Sequence, residues 1–106
     1  MTTEITPQQL KKRLDAREAV TLLDVRDEWE TKLARLENAA HIPVVEIEHR
    51  LDELDPADEI IVYCHHGVRS AAVADFLRQA GYPKAVNLTG GLDLWAETVD
   101  PSMRRY

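Results

Sequence analysis

The spacing of apolar positions changes several times along the chain, and each change marks an element. Leu10 and Leu14 flank Lys11, Lys12 and Arg13, which predicts a short amphipathic helix with its cations in water. Thr6-Pro7-Gln8-Gln9 supplies its start. Thr6 can accept from the Gln9 backbone, Gln9 can reach back, and Pro7 sits where its missing N–H does no harm. Val20 to Val25 is a short apolar run, fit for a strand buried on both faces. Asp27 and Glu30 then stand at capping-box spacing and predict a short helix. Ala39 to Ile42 is a weaker strand, stopped by Pro43. Val44, Ile47, Leu51 and Leu54 recur at helical spacing and predict a second amphipathic helix, followed by a turn at Asp55-Pro56-Ala57-Asp58.

Glu59 to Tyr63 is the strongest strand pattern, β-branched and apolar on both faces. Ser70 to Ala80 is a helix closed by Gly81, with Pro83 just beyond. Ala85 to Leu88 is a last strand. Gly90-Gly91 is a tight turn, and Leu92, Trp95 and Val99 mark one face of a last helix. Asp100 to Tyr106 reads as a polar tail, with Arg104, Arg105 and Tyr106 expected as solvated surface. Trp29 and Trp95 are expected in core and edge packing. Strands this apolar, separated by helices, predict an α/β fold: a three-layer sandwich with a mainly parallel central sheet flanked by helices. In such sheets the ligand crevice lies at the carboxyl ends of the strands, where Asp24 and Cys64 both fall.

Composition narrows the partners. The chain has 106 residues, 44% hydrophobic and 30% charged, as an ordinary globule does, and one domain spanning 1–106 is expected. A net charge of −6 argues against nucleic acid, because phosphate binding needs a basic face. Met1 to Pro7 shows no basic start followed by an apolar stretch, and Ile60 to Cys64 is too short to cross a membrane. A cytoplasmic or equivalent reducing compartment is the expectation, and no membrane partner is expected. Cys64 is the single cysteine, so no internal disulfide can form.

Chemistry concentrates after the strongest strand, in Tyr63-Cys64-His65-His66-Gly67-Val68-Arg69-Ser70. Cys64 enters a short loop that runs directly into a helix N-terminus, whose first N–H groups have no intrahelical partner. Gly67 permits a sharp turn that can aim successive N–H groups inward as an anion nest. Arg69 and Ser70 add donors, and His65 and His66 add partial charge. Each favours thiolate over thiol, so Cys64 is expected to titrate below the free-cysteine value of about 8.5. A lone cysteine more often simply packs, but a polar, glycine-containing loop at a helix start suits packing filler badly.

Four patches together resemble the single-domain rhodaneses, sulfurtransferases of the rhodanese homology superfamily. They are Leu22 to Glu30 (LLDVRDEWE), Leu36 to Pro43 (LENAAHIP), Ile61 to Ser70 (IVYCHHGVRS) and Gly90 to Trp95 (GGLDLW). The resemblance implies that Cys64 takes a sulfane sulfur from a donor such as thiosulfate or a persulfide and passes it to a thiol, cyanide or protein acceptor. His65, His66, Gly67, Val68 and Arg69 would cradle the anion, mostly through backbone N–H groups. No cofactor and no metal are implied. Asp24 and Arg26 lie at a neighbouring strand end, and Arg26 is expected to play a structural role, paired with Asp24 and Asp27. A persulfide relay or interaction module is the alternative within the same resemblance.

Two positions depart from the family pattern. Asn38 stands where the pattern has glycine, and asparagine tolerates left-handed geometry better than most residues. His65, His66 and Glu30 stand where thiosulfate enzymes of the family carry cations. This predicts weak use of the thiosulfate dianion, improving toward pH 6 as histidines charge. A cysteine phosphatase or arsenate reductase fits less well. Arg69 follows Cys64 in a C-x4-R spacing, one residue shorter than the C-x5-R phosphatase loop. Zinc fits less well still: three adjacent residues do not present a tetrahedral set, and His41 and His49 lie elsewhere.

Overall fold

The computed structural model describes residues 3–106. Five parallel strands form one sheet in the order β1-β5-β4-β2-β3. They are β1 (Glu4–Ile5), β2 (Thr21–Asp24), β3 (Ala40–His41), β4 (Ile60–Tyr63) and β5 (Ala85–Leu88). The helices are α1 (Pro7–Asp15), α2 (Glu28–Thr31), α3 (Val68–Gln79) and α4 (Gly91–Thr98). The α/β sandwich with a parallel central sheet is as the sequence pattern predicts.

The period-two rule divides β4 between two cores. Ile60, Val62 and Cys64 pack with Val73, Ala74 and Leu77 of α3. Ile61 and Tyr63 pack on the other side with Leu10 of α1 and Leu92 and Trp95 of α4. All four residues of β4 are buried, which explains the unbroken apolar run. β2 lies beside β4 with Asp24 opposite Tyr63, so the carboxyl ends of the two strands finish level. Both predicted caps form: Gln9 N donates to Thr6 Oγ1 at 3.1 Å, and Asp27 N donates to Glu30 Oε2 at 3.0 Å.

Three elements differ from the pattern reading. β1 was not foreshadowed, because two residues carry too little periodicity, yet Glu4 and Ile5 pair with Asn87 and Leu88 at the sheet edge. Residues 44–54 are not an amphipathic α-helix but two 3₁₀ segments, Val44–His49 and Leu51–Glu53. The pairs Val44/Ile47 and Leu51/Leu54 are three apart, which suits a three-residue turn, and Arg50 at φ −125° breaks the run. Finally, α3 begins two residues earlier than its apolar pattern, at Val68.

Candidate active site

Cys64 leaves the carboxyl end of β4 and is 1% exposed. The chain then turns through His65 and His66 to Gly67, at φ 90°, a left-handed conformation that a side chain would strain. A Cβ there would also lie 3.0 Å from the Gly90 nitrogen. The turn points Gly67 N at Cys64 Sγ, 3.2 Å away. Ser70 N lies 3.4 Å and Ser70 Oγ 3.3 Å from the same sulfur. Burial pushes the thiol up, but hydrogen bonds from the Ser70 hydroxyl and the backbone of Ser70, Gly67 and His66 outweigh it. The net direction is below the ordinary thiol value.

The loop carbonyls face the opposite way. Leu92 N, in the first turn of α4, donates to Cys64 O at 2.9 Å, and Asp93 N donates to His65 O at 3.0 Å. Gly91 permits this approach: a Cβ there would fall 2.5 Å from Cys64 O and 2.6 Å from His65 O. One helix N-terminus therefore serves the sulfur and another serves the carbonyls behind it. The Gly90-Gly91 pair reads from sequence as a turn only. Its part in supporting the loop depends on a close approach between distant segments.

The side chains around the loop depart from expectation. Arg69 does not turn its charge to the sulfur; its Nη1 and Nη2 hold Glu30 Oε2 and Oε1, each at 2.9 Å. Glu30 is buried, and the Arg69 guanidinium holds its carboxyl down at about 2, with Asp27 N and the Tyr106 hydroxyl assisting against burial. His65 is stacked against Tyr106, ring centroids 3.8 Å apart and planes 8° apart, and His66 stacks on its other side at 3.9 Å. The buried Nε2 of His65 has no hydrogen-bond partner among the described residues, and burial lowers its pKa. Burial therefore disfavours a charge on His65, which weakens the attraction it offers an anionic donor. Val68 is 78% exposed at the mouth of the loop.

Asp24 and Arg26 form a buried pair below the site. Arg26 Nε and Nη2 donate to the two Asp24 oxygens at 2.9 and 2.6 Å, and Nη2 also reaches Ala34 O. Arg26 is wholly buried, and its hydrogen-bonded partners are Asp24, Tyr106 and backbone carbonyls rather than Asp27. The C-terminal residue is no free tail. Tyr106 Oη accepts from Arg26 Nη1 at 2.7 Å and donates to Glu30 Oε1 at 2.9 Å. Trp29 is 59% exposed rather than core, and packs edge-on to Tyr106 at 6.0 Å, while Trp95 is buried as expected. Asn38 adopts φ 63°, the left-handed geometry its place in the motif requires. His41 Nε2 lies 2.6 Å from the Arg26 carbonyl, and no helix among the described residues is long and apolar enough to cross a membrane.

Comparison with known proteins matches this arrangement. The family model for the rhodanese-like domain matches residues 6–98. The chain is 36% identical over 92 residues to a sulfur carrier protein of Bacillus subtilis, YrkF, covering 87% of this chain and 50% of that one. It therefore spans half the length of that relative. It is 33% identical to the thiosulfate sulfurtransferase GlpE of Actinobacillus pleuropneumoniae, covering 98% of this chain and 95% of that one. The crystal structure of a rhodanese-like domain protein from Staphylococcus aureus superposes with a TM-score of 0.85 at 32% identity, covering 100% and 99% of the two chains. The chain belongs to the rhodanese-like domain family.

Proposed function

We propose that the chain is a sulfurtransferase that carries sulfane sulfur on Cys64. The observation that carries this reading is the set of donors at 3.2, 3.3 and 3.4 Å around one buried sulfur. They stabilise a thiolate before the reaction and hold negative charge near the same point afterwards. The thiolate attacks the outer sulfur of a donor S–X, the S–X bond breaks, and X leaves with the electron pair. Cys64 then bears a persulfide, whose charge sits on the terminal sulfur. A nucleophilic acceptor attacks that sulfur, the S–S bond breaks, and the Cys64 thiolate returns. Cys64 is the sole cysteine, so an external acceptor must take the sulfur.

Charge decides between donors. Arg69 is the cation nearest the loop, and Glu30 already neutralises it. Burial disfavours a charge on His65. A thiosulfate dianion therefore meets no unpaired lysine or arginine side chain in this loop, and a persulfide donor, with less charge to compensate, fits better. Among the described residues, four large apolar side chains are exposed: Trp29, Val44, Val45 and Val68. Trp29 follows β2, the two valines follow β3, and Val68 follows β4, so all four lie after carboxyl ends of strands. That placement favours a protein as donor or acceptor.

Intact mass after incubation with thiosulfate or a small-molecule persulfide tests the reading. A gain of about 32 Da, one sulfur atom, is expected, reversed by dithiothreitol and absent in Cys64→Ser. No adduct with either donor refutes it. Persulfide is expected to load Cys64 faster than thiosulfate, and the reverse order refutes the donor assignment.

A further inference from the structure

Asn87 is buried in β5, and none of the steps above uses it. Its Nδ2 donates to Gly67 O at 3.1 Å and to the Glu4 carboxylate at 3.0 and 3.2 Å. Both amide hydrogens have acceptors, which fixes the side chain with Oδ1 toward Ser70. Ser70 Oγ lies 2.5 Å from Asn87 Oδ1 and 3.3 Å from Cys64 Sγ. A serine hydroxyl has one proton, and an amide oxygen has none to give. The short contact is therefore Ser70 donating to Asn87. While it does so, Ser70 meets the sulfur only as an acceptor.

We propose that Asn87 is a positioning residue for Cys64, setting the balance between thiol and thiolate by competing for the Ser70 proton. In the thiol state, the S–H donates to Ser70 and Ser70 donates to Asn87. In the thiolate state, the hydroxyl turns to the sulfur and Asn87 Oδ1 loses its donor. The inference rests on the sulfurtransferase reading for its consequence: when charge moves from Sγ to the terminal persulfide sulfur, the Ser70 proton turns back to Asn87. No proton leaves Ser70 at any point. Asn87 also holds the Gly67 carbonyl, so one side chain of the sheet braces two of the residues that donate to the sulfur.

The other charged groups facing this loop are mostly committed to partners. Asp24 of β2 holds Arg26, Glu30 of α2 holds Arg69 of α3, Asp93 of α4 holds Arg105, and Glu4 of β1 holds Asn87. His65 and His66 stack on each other. Ser70 is the group whose single proton two acceptors share.

The test is the Asn87→Leu variant, which keeps the branched shape of the side chain and removes the acceptor. The Cys64 ionisation constant, read from thiolate absorbance against pH, is expected to rise about fivefold, the worth of one hydrogen bond. In a Ser70→Ala background the same substitution is expected to change it less than about 1.5-fold, because the competing proton is gone. An unchanged or weakened acidity in Asn87→Leu, or an equal change without Ser70, overturns the proposal. Glu4, which keeps Thr89 Oγ1, and the Gly67 carbonyl lose the Asn87 amide in both backgrounds, so the comparison removes those effects. The wild-type chain gives a measurement that needs no variant. The Asn87 side-chain amide resonances are expected to move with the Cys64 midpoint, and their invariance overturns the proposal. Neither readout involves turnover, so failure of persulfide formation would refute the proposed function and leave these results standing.

Discussion

Replacing Glu30 by glutamine keeps the shape of the side chain and removes its charge. In the native chain that carboxylate accepts from both Arg69 nitrogens, from Asp27 N and from the Tyr106 hydroxyl, at 2.9 to 3.0 Å. Arg69 is the largest influence in bringing its pKa from an ordinary 4.5 to about 2. A change of that size corresponds to about 3 kcal/mol favouring the folded state. Arg69 is 39% exposed on its side chain, so solvent screens the pair, and about 1.5–3 kcal/mol is the working range.

The pH dependence has a fixed sign. The folded pKa is depressed, so the stabilisation is complete above the unfolded value of about 4.5 and disappears as pH falls through about 2. Urea unfolding of wild type and Glu30→Gln at pH 7, 5 and 3 measures it. The variant is expected to be less stable by about 1.5–3 kcal/mol at pH 7 and 5, with the gap at about half that size by pH 3. A gap that is constant from pH 7 to pH 3 would refute the electrostatic argument and leave only a packing effect.

Arg26→Leu strands the buried Asp24 carboxylate and is expected to cost about 3–5 kcal/mol in denaturant unfolding. The pH midpoint of Cys64 alkylation should stay in place; a large displacement in a folded variant would make Arg26 part of the site rather than its support. Tyr106→Ala uncovers His65, whose pKa should rise toward the ordinary value in a histidine NMR titration, since burial is the main cause lowering it. An unchanged His65 pKa would show that the stacked tyrosine does not shield it. Gly91→Ala drives a Cβ against the Cys64 and His65 carbonyls and is expected to cost at least about 2 kcal/mol and to slow Cys64 alkylation. Full stability in that variant would refute the close-approach argument.

How much the sequence reveals depends on the range of the interaction. β4, α3 and the cap at Thr6 are legible because their signals are local: an apolar run, a helical period and a capping box. The left-handed Asn38 and the pairing of Asp24 with Arg26 are legible for the same reason, each decided within a few residues. Residues 44–54 were misleading because spacings of three fit a 3₁₀ turn as well as an α-helix. Tyr106 reads wrongly as solvated tail, because its partners His65, Glu30 and Arg26 are 41 or more positions away and a lone tyrosine has no period. Asn87 carries no local mark either. Its neighbours in β5 predict a strand, and nothing in the strand pattern says that its amide reaches Gly67 and Ser70.

The loop around Cys64 shows why local chemistry alone does not build such a site. A run of backbone that turns its N–H groups toward one sulfur must turn carbonyls somewhere else, and buried carbonyls need donors. Here α4 supplies them, through the N–H groups of Leu92 and Asp93 that its own helix leaves free. The condition is contact close enough that position 91 has no Cβ. The two glycine-containing segments, 64–67 and 90–91, are thus halves of one device: the first turns donors toward the sulfur and the second satisfies the acceptors this turns away. A cysteine in the same local loop without the second segment would keep its carbonyls unsatisfied, and the loop would relax by turning its amides off the sulfur. The depressed thiol of Cys64 is therefore a property of the packed α4 as much as of the loop that carries it.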